Sequence, residues 1–223
     1  MSVTHPLVYT PVEYPDSDGR PIAETDWHSS ELMDLVFRLK ARYGAAPNVY
    51  VTSSMFVYYE EGNPHSVLAP DVMVVFGVPN RQRRVYFLWE EGEPPSVVFE
   101  LSSRATWRED QRNKKALCAR LGVSEFYLYD PAYEYLRPPL QGFRLVGDTY
   151  VPITPAADGS LHSERLGLAL ALQEGRIRLT DLATGEHLPT SSEVQTRLAD
   201  AQSENARLRA ELELRTRGVG DRR

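Results

Sequence analysis

The sequence predicts an α/β (α+β) fold in which helices alternate with short strands and a coiled-coil-like helix follows at the C-terminal end. An amphipathic helical pattern begins near residue 26, and short β-branched and aromatic segments follow between residues 49 and 129. A heptad pattern begins after residue 193. Of the 223 residues, 42% are hydrophobic, which is enough for the core of one domain with a short appendage.

Charge and composition exclude several classes of protein. The net charge of −6, from 25 basic and 31 acidic side chains, argues against a protein that coats nucleic acid. A small basic cleft remains compatible with this net charge. No apolar run is long enough to span a bilayer, and the first residues lack the basic and apolar regions of a secretory signal. The single cysteine, Cys118, excludes an intrachain disulfide and a cysteine-built zinc site. We therefore expect a cytoplasmic protein without a membrane segment.

The first helix follows an irregular, proline-containing arm over residues 1–24. Apolar residues recur at three- and four-residue spacing from Leu32 to Tyr43, with Asp26 as the expected N-cap and Gly44 at the C-terminal end. His28 lies on the same stripe as the apolar residues, so we expect its side chain to face inward.

Strands are predicted next, and two of them carry a carboxylate in an otherwise apolar run. The predicted strands cover residues 49–52, 55–59, 69–76, 85–89 and 96–102. Asp71 opens the third of these strands, and Glu100 lies near the end of the fifth.

A second helix begins with a capping-box pattern, in which Thr106 is the expected cap and Glu109 the reciprocal acceptor. It is predicted to run to Leu121. A strand over residues 125–129 follows, and residues 134–180 alternate short apolar segments, beginning with Tyr135-Leu136, with turns.

The tail is predicted as a linker over residues 184–192 and a heptad helix over residues 193–217. Its seam consists of Val194, Leu198, Ala201, Asn205, Leu208 and Leu212. An amide at a seam position selects register and strand number in coiled coils, which favours a homo-oligomer. The alternative is a helix that packs on its own domain.

Buried carboxylates are costly unless they are paired, hydrogen-bonded or bound to a metal. If their strands are neighbours, Asp71 and Glu100 converge on one oxygen-lined cavity, which Mg²⁺ or Mn²⁺ would favour. The alternative is that both are edge or turn acids that face solvent.

The second helix brings further charge to the same region. At about 100° per residue, Asp110 and Lys114 lie within about 40° of the helix's apolar stripe, whereas Lys115 is expected to point to solvent. The alternative is an ordinary surface ion pair at the rim of the packed face, worth a few tenths of a kcal/mol.

The order and spacing of these motifs resemble the Uma-two family, a branch of the PD-(D/E)xK restriction-endonuclease-like superfamily. The resemblance covers roughly residues 20–180 and is densest over 69–131. The motifs that carry it are Pro70-Asp71, Glu100-Leu101-Ser102, Asp110, Lys114 and the segment 121–131.

The resemblance implies a restriction-endonuclease-like domain over residues 1–183, with a central mixed sheet flanked by helices. It implies that Asp71 takes the acidic position after proline and Glu100 the acidic position of the (D/E)xK strand. Ser102 stands where the motif has its lysine, and Lys114 occupies the position of a lysine that has migrated to the helix. Asp110 matches a further acidic position of that helix. Glu24 and His28 lie where superfamily members carry an additional ligand or support.

The implied activity is Mg²⁺- or Mn²⁺-dependent hydrolysis of DNA phosphodiesters. Cations held by Asp71 and Glu100 would stabilise phosphoryl charge, and Lys114 would orient the attacking water. The alternative function is a catalytically silent nuclease-fold scaffold or interaction protein that oligomerises through its C-terminal helix.

Overall fold

The computed structural model describes residues 12–17, 25–104 and 106–220, with side chains up to Leu212. The helices are α1 (Asp26–Tyr43), α2 (Leu88–Glu91), α3 (Trp107–Glu109), α4 (Lys115–Arg120) and α5 (Ser191–Gly220), and a π-helical turn (Asp110–Lys114) joins α3 to α4. The strands are β1 (Val49–Ser53), β2 (Val57–Tyr58), β3 (Val67–Leu68), β4 (Val72–Phe76), β5 (Tyr86–Phe87), β6 (Val97–Leu101), β7 (Glu125–Tyr129), β8 (Leu140–Val146), β9 (Thr149–Pro152), β10 (Leu161–Ser163), β11 (Leu168–Gln173) and β12 (Arg176–Asp181).

A six-stranded mixed sheet in the order β1-β4-β6-β7-β8-β9 lies at the centre of the fold. β6 and β7 pair in parallel, with Leu101 opposite Tyr129, and the other neighbours pair antiparallel. Two three-stranded sheets, β10-β11-β12 and β3-β2-β5, accompany it. The central mixed sheet with flanking helices confirms the predicted α/β (α+β) fold.

Each face of the central sheet carries its own hydrophobic core. Because side chains alternate along a strand, Phe99 and Leu101 of β6 face α1 and the sheet β10-β11-β12. Val98 faces the other way, toward α4 and the sheet β3-β2-β5. Glu100 has the same orientation as Val98, so its carboxylate enters an apolar layer.

The N-cap of α1 is Thr25, not Asp26. The Thr25 side chain accepts a hydrogen bond from the backbone N–H of His28, and Asp26 is the first helical residue. Gly44 is at the C-terminal end as predicted. The assignment to Asp26 was wrong because threonine and aspartate are both good caps, and only the backbone angles distinguish adjacent candidates.

The capping box predicted at Thr106 is absent, and the helix is not uniformly α-helical. Thr106 has helical backbone angles and makes no side-chain cap bond; its hydroxyl accepts from the N–H of Ser103 at 3.3 Å. The π-helical turn adds a residue to one turn, so angular positions at 100° per residue no longer hold beyond it. Lys115 accordingly lies with its Nζ 4.0 Å from the centre of the Phe143 ring, and the prediction that it points to solvent was wrong.

Every strand predicted between residues 49 and 129 is present, and most are shorter than predicted. The strand predicted over 85–89 ends at Phe87, where α2 begins. Tyr135 and Leu136 form no strand, because their backbone N–H groups donate to Oδ2 of Asp130 at 2.5 and 2.9 Å. These bonds hold the segment as a turn.

The C-terminal helix α5 is anchored only at its start among the residues described. Thr190 and Glu193 form a capping box, in which the Thr190 hydroxyl accepts from Glu193 N at 3.2 Å and Glu193 Oε2 from Thr190 N at 2.7 Å. Arg178 bonds Glu193 at 2.8 Å and lowers the pKa of that carboxyl to about 2. The side chains from Val194 to Leu212 are all exposed. The predicted seam is therefore not covered by the described part of the domain.

Among the described residues, no helix is both long and apolar enough to cross a membrane.

Candidate active site

The predicted site residues that the structure describes gather at one edge of the central sheet. β4 runs antiparallel to β6, so Asp71, just before β4, lies beside the end of β6, which carries Glu100. Ser102 follows β6 and donates its backbone N–H to the carbonyl of Tyr129 at 2.7 Å. The parallel pairing of β6 and β7 brings the carboxyl ends of both strands to the same edge.

The Glu100 side chain is completely buried. Its Oε2 accepts a hydrogen bond from Lys114 Nζ at 2.8 Å, and its Oε1 has no hydrogen-bond partner among the described residues. Burial raises the pKa of Glu100 well above its usual range, more than the charge of Lys114 lowers it, and the charges of Asp71 and Asp110 raise it further. A carboxylate in this position is suited to a further positive partner.

Lys114 lies between two carboxylates. Its Nζ is 2.8 Å from Glu100 Oε2 and 3.3 Å from Oδ1 of Asp110, whose side chain is also fully buried. Burial lowers the pKa of Lys114, but the charges of Glu100, Asp110 and Asp71 outweigh it and leave the pKa raised. For Asp110 the effect of burial is larger than that of Lys114: burial raises the pKa of this carboxyl, and the charge of Lys114 lowers it by less. The two residues therefore face the sheet as predicted, and the surface ion-pair alternative is wrong.

Asp71 is fixed by the backbone of the neighbouring strand. Its Oδ2 accepts a hydrogen bond from the N–H of Leu101 at 2.7 Å, and its side chain keeps 21% of its surface exposed. The Asp71 charge acts on Glu100, Lys114 and Asp110. The site thus has a buried carboxylate and a more accessible one beside it.

His28 reaches the same edge from α1. Its Nε2 lies 2.8 Å from the carbonyl oxygen of Leu101 and 4.0 Å from Asp71 Oδ2. Because a carbonyl oxygen only accepts, this bond requires the proton on Nε2, so that nitrogen is a donor and not a metal ligand here. His28 is buried as predicted and supports the strand end. Glu24, the other predicted supporting residue, lies outside the described residues.

Ser102 stands at the strand position where the related motif carries lysine. Its side chain is buried, and its Oγ has no hydrogen-bond partner among the described residues. Glu100 and Ser102 are two residues apart, so Glu100 Oε1 and Ser102 Oγ are two unsatisfied oxygens on the same side of one strand end. Such groups call for a water molecule, an ion or a substrate atom.

The carboxylate oxygens of Asp71 and Glu100 are the kind of ligand that a hard cation prefers. Carboxylate oxygens are the ligands that Mg²⁺ and Mn²⁺ prefer, and one or two of them suffice when water and phosphate oxygens complete the shell. Within the described ranges, no group of three or more His, Cys, Asp or Glu side chains is arranged to hold a metal ion. The unpartnered Oε1 of Glu100 and the accessible carboxylate of Asp71 are thus the oxygens that fit.

A row of three exposed arginines precedes Lys114 along the chain, and the sequence reasoning missed it. Arg104, Arg108 and Arg112 are exposed and spaced four residues apart, on and just before the helix that carries Lys114. The Arg108 guanidinium lies 4.8 Å from the Trp107 ring centre, and that ring stacks on Tyr135 with 6.4 Å between the ring centres. The four-residue spacing was the available signal.

Comparisons with known proteins give a family match and a structural neighbour. A family model for Uma2, described as putative restriction endonuclease, matches residues 9–180, which is more than half of the chain. A crystal structure of a putative nuclease belonging to DUF820 from Anabaena variabilis ATCC 29413 aligns with a TM-score of 0.49 and 12% sequence identity, over 67% of this chain and 80% of that chain. No curated protein sequence matches.

Proposed function

The chain belongs to the Uma2 family of putative restriction endonucleases, and we propose that it is a Mg²⁺- or Mn²⁺-dependent endonuclease that hydrolyses phosphodiester bonds in DNA. The observation that carries the proposal is the wholly buried Glu100, which has Lys114 on one oxygen and no described partner on the other. A carboxylate and an ammonium group directed into the core serve no packing purpose, and replacing such a pair by apolar residues is often neutral or stabilising.

Asp71 and Glu100 would hold the cation. When bound, it would neutralise charge on the phosphoryl oxygens and favour ionisation of the attacking water. The Leu101 N–H and His28 contribute by fixing Asp71 and the strand end beside it. Asp110 keeps Lys114 in position from the helix side.

Lys114 acts as a hydrogen-bond donor and a fixed charge. Its pKa is raised by three carboxylates, so it stays protonated at neutral pH and is not a general base. It orients the water that attacks phosphorus and stabilises the developing phosphoryl charge. The water oxygen bonds to phosphorus, the bond to the leaving ester oxygen breaks, a water proton passes to solvent, and the leaving oxygen takes up a proton. The products are a phosphomonoester and an alcohol.

Arg104, Arg108 and Arg112 would contact the DNA backbone. Exposed arginines bind phosphate oxygens without reading sequence, and they position the duplex on the protein. Because they lie along the segment that carries Lys114, a DNA backbone bound to them would pass the side of the domain that this segment forms. This local surface permits DNA binding despite a net charge of −6.

Plasmid nicking tests the proposal. Purified wild-type protein is incubated with supercoiled plasmid in Mg²⁺, in Mn²⁺ and in chelator, beside Lys114→Ala and Glu100→Ala. We expect nicking with either metal, none in chelator, and a loss of at least about 100-fold in both variants, in the range of removing one charge-stabilising group. The matched control is Asn113→Ala, which changes an exposed neighbour of Lys114 in the same turn and should nick normally. Unchanged nicking in Glu100→Ala would reject the assigned site.

The second candidate is a catalytically silent nuclease-fold scaffold, and the exposed seam of α5 favours it. In this arrangement the helix joins a second copy as a coiled coil and is carried by a domain over residues 1–183 and the linker expected over 184–192, whose last two residues already belong to α5. Wild-type protein that neither nicks plasmid nor is stabilised by Mn²⁺ would select the scaffold. For either function we propose a cytoplasmic location, since the buried free thiol of Cys118 is compatible with a reducing compartment.

A further inference from the structure

A cavity of about 440 Å³ opens next to the turn that follows β7. Its walls come from the start of α1, the turn after β7 and the β11–β12 hairpin. The lining residues that matter are Trp27, Tyr133, Glu31 and Arg176. We propose that this cavity binds one unstacked nucleobase of the DNA strand that the neighbouring site cleaves. The inference rests on the proposed nuclease function for the source of the strand.

Two aromatic side chains line the cavity and remain accessible. Trp27 is 69% exposed and Tyr133 is 38% exposed, although large aromatic rings are normally buried. Nucleobases stack on such rings with little regard to sequence, because every base has an aromatic face. A cavity of this volume is in the range of small-molecule sites and accommodates a single base.

The turn that carries Tyr133 is held in a fixed conformation. Tyr133 has a φ of +59°, which non-glycine residues rarely adopt. Its N–H donates to the Asp130 carbonyl at 3.2 Å, and the Asp130 carboxylate accepts from Ala132 N at 3.1 Å and Tyr135 N at 2.5 Å. A turn with a fixed backbone loses little conformational entropy on binding, which suits a stacking surface.

The opposite side of the cavity offers a hydrogen-bond acceptor. Glu31 Oε1 accepts from Arg176 Nε at 2.5 Å, and the Tyr129 hydroxyl lies 3.3 Å from Glu31 Oε2. A carboxylate has about four acceptor positions, so Glu31 can also accept from the amino group of a base. Arg176 additionally bonds Asp34 at 3.0 Å, so the ion pair is braced from the core side.

The cavity and the active site share their supports. Trp27 is followed directly by His28, which contacts Leu101 and lies near Asp71. Tyr133 follows β7, whose last carbonyl, at Tyr129, accepts the N–H of Ser102. Trp27 through His28, and Tyr133 through β7, therefore connect the cavity to the end of the sheet that carries Asp71.

The experiment measures binding without cleavage. Full-length protein in chelator is titrated with a single-stranded oligodeoxycytidine of about twelve nucleotides, within the usual site sizes for single-strand binding. Tryptophan emission and fluorescence anisotropy of the labelled strand report binding. We expect quenching that is smaller in Trp27→Phe than in wild type, because this variant keeps a ring for stacking but removes the Trp27 emission, while the chain's other two tryptophans still emit. Trp27→Ala and Tyr133→Ala should each weaken binding about ten-fold, the size of one base–aromatic stack.

Two controls separate the base from other effects. Met33→Ala changes an apolar residue of α1 that is 64% exposed, and it should bind as wild type does. An abasic strand of the same length has the same phosphates and should bind about ten-fold more weakly to wild type. Equal affinity for the abasic strand, or unchanged affinity in Trp27→Ala and Tyr133→Ala, overturns the inference. Equal affinity for free dCMP would assign the cavity to mononucleotides and likewise overturn it.

Failure of this inference is distinguishable from failure of the nuclease proposal. Metal-dependent plasmid nicking with no role for Trp27 in binding rejects the base cavity alone. Base-dependent binding through Trp27 without nicking supports the cavity and rejects the nuclease.

Discussion

Lys114 Nζ lies 2.8 Å from Glu100 Oε2, and the Glu100 side chain has no exposed surface. The lysine comes from a π-helical turn and the glutamate from a central strand of the sheet. Each charge in such a pair is tolerated only because the other is present, since an unpaired buried charge costs several kcal/mol. The contact therefore links the stability of the domain to the chemistry of the candidate site.

Removing the lysine alone should destabilise the domain more than removing both charges. We expect Lys114→Met to lower the free energy of unfolding by about 3 kcal/mol, because Glu100 is left without its cation. The double variant Glu100→Gln, Lys114→Met should regain more than half of that loss. Urea denaturation measures both. If the changes in unfolding free energy of Lys114→Met and Glu100→Gln simply add in the double variant, the two side chains are not directly coupled.

The stability of the protein should depend on pH through Glu100. Burial raises the folded-state pKa of this carboxyl above 4.5, so between pH 4.5 and that pKa the folded chain binds more protons than the unfolded chain. The free energy of unfolding then falls as pH rises, by at most about 1.4 kcal/mol per pH unit. Glu100→Gln removes this titration, so its stability relative to wild type should increase from pH 4.5 toward neutrality. The exposed control Glu61→Gln should show no such divergence; parallel curves for wild type and Glu100→Gln would reject the assignment.

The exposed arginine row should control DNA affinity. We expect Arg108→Glu and Arg112→Glu each to weaken binding of a DNA duplex in chelator. Each lost phosphate contact should reduce the slope of log affinity against log salt by about 0.9. Anisotropy titrations over a range of salt concentrations measure this slope. Arg209→Glu, at an exposed arginine on α5, makes the same charge change and should leave affinity and slope unaltered. A slope that is the same in all three variants would remove the row from the DNA interface.

The seam of α5 should determine the oligomeric state. Leu198 and Leu208 are 58% and 47% exposed, which is unfavourable unless another helix covers them. We expect Leu198→Glu combined with Leu208→Glu to convert an oligomer to a monomer in analytical ultracentrifugation. Ala199→Glu combined with Ala210→Glu adds the same two charges at exposed positions on the opposite side of the helix from the seam and should retain the oligomer. An unchanged molar mass in the seam variant would end the coiled-coil proposal.

Two identical sequence patterns behave differently in the fold. Thr106 and Glu109, and equally Thr190 and Glu193, match the Thr-x-x-Glu capping box. The second pair forms the box and the first does not, because the chain at Ser103 already turns and occupies the Thr106 hydroxyl. A local pattern therefore predicts a cap, but the path of the preceding chain determines whether the cap hydrogen bond forms.

Local properties of the sequence were enough to predict the order of the main helices and strands, the C-terminal helix, and the set of charged residues that meet at the sheet edge. Periodicity and the cost of a charge in an apolar run carry that information. The parallel pairing of β6 with β7, the bond from Lys114 to Glu100 and the cavity that Trp27 shares with Tyr133 emerged only in the folded chain. Those relations join residues that are distant along the chain, and they depend on strand order and on a π-helical turn, which no local pattern encodes.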